Sequence, residues 1–251
     1  MPRDPQVQLR PVTSIGGVTV EMSSPIIRYV AGCAIDADGA PRCYHPADWG
    51  PRAEWVPAGR KPLGLDAPEN GGKARREPDG TWVVTDSWGW ATDDGSRAGR
   101  PVIQGAGDPA PGYYVSKTTL RDASLAPTDP RSYVDAAKVH YVAVPRRLLD
   151  DPFGVRMGDL AMVTYRGRRV FAIVADVGSN SHIGEGSIAL CQALEARGSA
   201  RDGGIAAGVS VHLFCGTART FRFAPFYRDQ VNEEVEAAGM QVASQYGVLS
   251  P

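Results

Sequence analysis

Two carboxylates are placed to do chemistry. Asp176 ends an apolar, β-prone run, Val170 to Ala175, and Glu185 follows nine positions later, after a turn-forming loop from Gly178 to Gly184. Ser187 is placed to cap a helix running from Ile188 to about Arg197 and stopped by Gly198. The two acids therefore stand at the ends of one loop between a buried strand and a helix. Loops held by a rigid scaffold are a usual seat of catalysis. Two carboxyl groups facing one cleft suit glycoside hydrolysis: one protonates the leaving oxygen, and the other activates water or attacks the sugar. Burial at the end of an apolar strand favours the protonated acid, and the positive end of a helix favours a carboxylate, which makes Asp176 the acid and Glu185 the base. The same spacing also fits a plain turn aspartate and a solvated or helix-capping glutamate.

Other chemistries find little footing. His45, His140, His182 and His212 are scattered, with no pair at i, i+4, so no zinc site is expected. The turn Asp36-Ala-Asp38-Gly39 opens like a calcium loop but lacks the later ligands, including the terminal glutamate. It also reads as simple Asp-Gly turn chemistry. Gly105 to Gly112 lacks the Lys-Ser/Thr ending and following helix of a phosphate loop. Ser187 is in no G-x-S-x-G context. The expectation is no metal and no cofactor. His182, inside the loop, is placed to touch substrate or simply to face solvent. Trp49, Trp55, Trp82, Trp88, Trp90, Tyr113 and Tyr114 crowd the loop-rich first half, where they serve as sugar platforms or as packing residues.

Composition sets bounds. The chain has 251 residues, 43% of them hydrophobic, which supports a sizeable core. Its 29 Gly and 20 Pro imply many loops and little helix. Lys plus Arg is 27 and Asp plus Glu 28, a net charge of −1, which gives no support to a nucleic-acid partner. A cationic substrate would need a local acidic groove that composition does not reveal. No apolar run approaches a membrane span. Met1 to Arg10 is polar and lacks the apolar segment of a signal peptide. The expected address is nonetheless outside the cell, by processing of a longer chain or a signal-independent route, with retention inside as the alternative. Cys33 and Cys43 flank an expected hairpin turn, Asp36 to Pro41, and are placed to face each other; Cys191 falls on the expected helix and Cys215 on an expected strand. Two disulfides or four buried thiols fit equally.

The elements needed to hold the acids are mostly strands. Residues 1 to 24 read as a lead-in, with Val18-Thr-Val20 as an edge strand. Strands are expected at Ile26–Ile35, Trp82–Asp86, Val102–Gln104, Val139–Val144 and Val209–Cys215. Leu160–Tyr165, the Arg166–Arg169 turn and Val170–Ala175 form a hairpin. A last helix from about Asp229 to Tyr246 carries Val231, Val235, Ala238, Val242 and Tyr246 on one face. Many short strands, two modest helices and no βαβ repetition predict a mainly β barrel.

Several segments share a family likeness. They are Ala34-Ile-Asp-Ala-Asp-Gly-Ala40, Tyr44-His-Pro, Gly64-Leu-Asp-Ala67, Pro101-Val-Ile-Gln-Gly, Asp108-Pro-Ala-Pro-Gly-Tyr-Tyr-Val-Ser116, Tyr133-Val-Asp-Ala-Ala-Lys-Val-His-Tyr-Val-Ala-Val-Pro145, Gly158-Asp-Leu-Ala-Met-Val, Ala175-Asp-Val-Gly and Ile183-Gly-Glu-Gly-Ser-Ile-Ala-Leu190. In that order, over residues 28 to 247, they resemble glycoside hydrolase family 75, the fungal-type chitosanases and their bacterial relatives. The resemblance implies a six-stranded double-psi β-barrel-like core with added loops, a short helix after the catalytic loop and a C-terminal helix. It implies that Asp176 and Glu185 are the essential pair and act with inversion, their carboxyl groups about 6.5–9.5 Å apart. It places Asp36 near the substrate groove. The substrate-binding candidates are thus Asp36, Tyr113, Asn180 and His182. The implied partner is a polysaccharide, chitosan or peptidoglycan glycan, with no nucleic acid and no membrane span. The protein is expected to be a monomer, with 25–251 as a single catalytic domain. Ala175-Asp-Val-Gly also resembles the A-D-T-G strand end of lytic transglycosylases with related barrels, which rely on one aspartate. A peptidoglycan-cleaving enzyme, including an antibacterial effector, is therefore the alternative. A non-catalytic wall-binding barrel is the third reading.

Overall fold

The computed structural model describes residues 8–50 and 61–249; Trp55 and the first seven residues of the polar lead-in fall outside them. The strands are β1 (Arg10–Ile15), β2 (Val18–Ser23), β3 (Ile26–Asp36), β4 (Gly72–Arg76), β5 (Trp82–Ser87), β6 (Tyr141–Pro145), β7 (Leu160–Tyr165), β8 (Arg168–Gly178), β9 (Glu185–Ser187) and β10 (Gly204–Phe214). The α-helices are α1 (Pro68–Gly71), α2 (Ile188–Ala193) and α3 (Val231–Gln245). Where the sequence suggested one domain, contacts divide the chain into two compact units: Met1–Asp36, Ala136–Ala224 and Arg228–Pro251 in one, Ala37–Asp135 and Pro225–Tyr227 in the other.

The first unit is a closed six-stranded barrel in the order β3, β10, β7, β8, β6, β9, with β9 pairing back onto β3. The β3–β9 and β6–β8 pairs are parallel and the other barrel pairs antiparallel. Alternation builds its core: Ile27, Tyr29, Ala31 and Cys33 of β3 meet Val170, Ala172 and Val174 of β8 and Val209, Val211 and Leu213 of β10. The opposite face of β8 is buried too. Phe171 packs under α3 where Gly239 leaves no room for a Cβ, so the helix approaches closely. That double burial is why Val170 to Ala175 reads as one unbroken apolar run. The C-terminal helix buries Val231, Val235, Ala238 and Val242, as its spacing predicted, plus Gly239 and Ala243.

Several elements differ from the sequence reading. The lead-in is a hairpin: β1 and β2 extend the barrel sheet beyond β3 and bury Ile15 and Val20. The β7–β8 turn is only Arg166-Gly167, both in the left-handed region as a two-residue hairpin turn requires. Val102–Gln104 makes isolated bridges instead of a strand. Helix α2 stops at Ala193, short of Arg197. Glu195 takes the left-handed conformation, its N–H donates to Gln192 O, and Ala196 N–H donates to Cys191 O, the pairing that closes a helix end. A glutamate there gives no sequence signal. Strand β3 ends at Asp36 without a returning partner, so no hairpin brings Cys33 to Cys43; the thiol against Cys33 is that of Cys191.

In the second unit β4 and β5 form a hairpin beside an aromatic cluster. Trp90, fully buried, stacks on Tyr114 at 4.7 Å and meets the edges of Tyr44 and Trp49 at 5.3 and 5.9 Å. Trp49 Nε1 donates to the Tyr114 hydroxyl. Packing thus accounts for Trp49, Trp90, Tyr113 and Tyr114. Trp88 is 38% exposed, with its N–H bound to Asn70 O and the Arg97 guanidinium over its ring.

Asp159, fully buried at the start of β7, accepts from the backbone N–H groups of Arg156, Gly216 and Ala218. Removing a carboxylate that satisfies several buried donors leaves them unpaired. Asp159→Ala is expected to cost about 3 kcal/mol in urea unfolding; a loss below about 1 kcal/mol would show that water replaces the carboxylate. Burial, with the Arg28 guanidinium second and Glu21 opposing, pulls His212 from 6.5 down to about 4. Burial also lowers His140. Between about 4 and 6.5 the unfolded chain then binds more protons than the folded one, so stability present above that window is lost as pH falls through it. Melting temperatures measured from pH 7 to pH 4.5 should fall, and less steeply for His212→Gln.

Candidate active site

Glu185 stands at the loop end and opens the short strand β9, and this fixes its relation to Asp176. In β6, Ala143 is in register with Asp176 of β8 on one side and with Glu185 of β9 on the other. Residues in register present their side chains to the same face. Strand spacing of about 4.8 Å puts the Asp176 and Glu185 Cα atoms about 10 Å apart across β6. Glu185 is also in register with Ala34 of β3, and Asp36 with Ser187. Asp36, two residues beyond Ala34, therefore shares that face. Three carboxylates from three strands, Asp36, Asp176 and Glu185, lie on one side of the barrel wall, away from the core that holds Cys33, Val142, Val144 and Val174.

A bulge turns Asp176 to that face. Val142 pairs with Val174, but the next residue, Ala143, pairs with Asp176, so β8 carries one extra residue. Without it the alternation of Val170, Ala172 and Val174 would send Asp176 into the core. Asp176 is 8% exposed, and one of its oxygens accepts from the Val177 N–H at 2.7 Å.

Glu185 is held from both sides. Its Oε1 is 2.6 Å from His182 Nε2, and His182 Nδ1 is 3.3 Å from Ser181 Oγ, which is 2.7 Å from Ser179 Oγ. Its Oε2 rests on Gly178, where any Cβ would collide with it. Gly178 is two residues on from Asp176 on the same strand face, a Cα separation of about 7 Å. The Glu185 carboxylate thus leans across β6 toward β8, the strand that carries Asp176. The His182–Glu185 contact is too exposed to add much stability; its effect is orientation.

The loop that joins the acids is pinned along its length. Asn180 Oδ1 accepts from the Arg147 N–H at 3.0 Å, and Arg147 in turn donates to Thr13 Oγ1 and Ser14 O of β1. Gly16, at the β1–β2 turn, packs on Ser181 with no space for a side chain. Ile183 plugs into the core, and Gly184 O accepts from the Ala34 N–H at 2.9 Å. Ser187 caps α2 by accepting from the Leu190 N–H, and also accepts from the Tyr141 N–H, so Glu185 is not the capping residue.

Comparison of the sequence with protein-family models and with curated proteins gives no match. The sequence candidates Asp36, Asp176, Asn180, His182 and Glu185 all lie in the barrel unit, around one wall and its loop. Asn180 uses its carbonyl oxygen to hold backbone, and His182 engages Glu185. Tyr113 belongs to the second unit, where its buried hydroxyl donates to Leu63 O and accepts from Arg42. A cavity of about 770 Å³ opens by the β7–β8 turn, lined by Arg166, Arg168, Glu195 and Arg197; it is at the other end of β8 from Asp176. Among the described residues no cluster of three or more His, Cys, Asp or Glu could hold a metal, and no helix is long and apolar enough to cross a membrane.

Sequence reasoning missed Ala143 and Gly178, which set the geometry without reacting. The signal for Gly178 was present: glycine where a β-run ends beside an acid often marks close approach of another group. Gly178 has no left-handed backbone, so alanine fits its conformation and only the Glu185 carboxylate must move. Gly178→Ala should keep the folding midpoint within a few degrees while the His182 ring resonances shift in NMR spectra. Unchanged resonances would show that the carboxylate does not rest there.

Proposed function

We propose that the chain is an endo-acting glycoside hydrolase that cleaves β-1,4 links in chitosan by an inverting mechanism with two carboxyl groups. The observation carrying this reading is the common face of Asp176 and Glu185, in register through Ala143. Asp176, covered at the strand end, serves as the acid that protonates the glycosidic oxygen. Glu185, oriented by His182 and seated on Gly178, takes the proton from a water attacking the anomeric carbon on the other side of the sugar. Asp36 on the same face adds a negative charge to that of Glu185. In a chain of net charge −1 that is a local acidic patch, suited to the ammonium groups of glucosamine units.

Product analysis tests the substrate. Soluble chitosan and, separately, peptidoglycan sacculi are incubated with the protein and the released ends identified by mass spectrometry. Glucosamine oligomers with reducing ends support the hydrolase. Anhydro-muropeptides from sacculi alone replace it with a lytic transglycosylase working through Asp176. No product from either sinks both. On chitosan, Asp176→Asn and Glu185→Gln should each lower the rate about 10²–10⁴-fold with the fold intact. A variant keeping more than about a tenth of the rate removes that residue from the mechanism.

A further inference from the structure

Two thiols meet inside the barrel. Cys33 on β3 and Cys191 on α2 are both buried, and their Sγ atoms are 3.4 Å apart. The other two cysteines are placed differently: Cys43 Sγ stands 3.8 Å from Asp38 Oδ1 in the second unit, and Cys215 follows β10. We infer that Cys33 and Cys191 are a disulfide-forming pair, a covalent cross-link site that joins β3 to α2.

The geometry asks little of the fold. A disulfide holds its sulfurs about 2.05 Å apart, so small side-chain rotations and a slight shift of the short helix close the remaining gap. The bond would close a loop of 158 residues, the long-loop case in which a cross-link restrains the unfolded chain most. Its position is also specific. Cys33 precedes Ala34, the register partner of Glu185, and Cys191 lies six residues after Glu185 in the same β9–α2 run. Gly186 packs on the Cys33 sulfur, with room for no side chain. The cross-link would tie the strand bearing Glu185 to its neighbour from both directions.

The chemistry is thiol–disulfide exchange with a small-molecule or protein disulfide as oxidant. One cysteine thiolate attacks that disulfide and releases a thiol. The second cysteine attacks the mixed disulfide, forms the Cys33–Cys191 bond and releases a second thiol. Two hydrogens leave the protein and the oxidant is reduced to two thiols. The hydrogen bond with Cys33, then burial, pushes the Cys191 thiol far up, so thiolate is scarce in the folded barrel. Burial also raises Cys215, to about 12, which leaves it a poor competitor. Oxidation is therefore slow once α2 has docked and quick while the chain folds. The inference stands independently of the proposed hydrolase activity.

The test refolds the full chain in glutathione buffer rich in the oxidised form. Free thiols are alkylated, and the protein is digested without reduction and mapped by mass spectrometry. The expected result is one cross-linked peptide joining Cys33 to Cys191, lighter by two hydrogens, with Cys43 and Cys215 alkylated. The oxidised protein should melt several degrees above the dithiothreitol-treated sample, and Cys33→Ala should abolish that difference. Four alkylated cysteines, glutathione left on Cys33 or Cys191, or a bond to Cys43 or Cys215 would overturn the inference. Because the map is made on the unaltered chain, poor folding of the variant leaves the answer intact.

Discussion

Closure of the barrel by β9 is the constraint on which the rest depends. Only three residues, Glu185-Gly-Ser187, bridge β3 and β6. Two glycines, one in this strand and one just before it, are chosen for space: Gly186 packs on Cys33 and Leu190, and Gly184 crosses the backbone of Gly32. A side chain at either place would push the strand off one of its partners, opening an edge and exposing unpaired backbone groups. The same short pairing that closes the sheet sets Glu185 opposite Ala143, and hence on the face of Asp176 with one strand between them.

The second element is the bulge in β8. The stretch of β8 from Val170 to Ala175 is buried on both faces and has no natural place for a carboxylate. One extra residue before Asp176 changes the parity of the strand and delivers the acid to the outer face while Val174 stays in the core. The polar end of the strand is then fixed by the packing of its apolar part, which is the rigidity a reacting group requires.

Between these two fixed points the loop is held by contacts from elsewhere in the sequence. The β1–β2 hairpin supports Ser181 through Gly16, and Arg147 links that hairpin to Asn180. His182 and Gly178 determine where the Glu185 carboxylate lies. Residues that look in sequence like binding groups, Asn180 and His182, spend at least one polar atom each on holding the site together. Their effect on chemistry would come through geometry.

The sequence by itself determined the mainly β character, the long apolar strand that carries Asp176 (though not its end at Gly178), the β7–β8 hairpin, the Ser187 cap and the apolar face of the C-terminal helix. Each of these is a local or periodic pattern, because burial on one or both faces imprints itself on residue type. It also offered Asp176 and Glu185 as a candidate pair, through their spacing. What only the tertiary structure decided was pairing between distant strands: the parallel contacts of β3 with β9 and β6 with β8, the insertion of Ala143 between the two acids, and the meeting of Cys33 with Cys191 in place of Cys43. A three-residue strand has no period to detect, a bulge shifts register by one residue without a composition signal, and Glu195 ends α2 in a conformation its type seldom takes. These features arise from closing the sheet on itself, which no window of sequence contains.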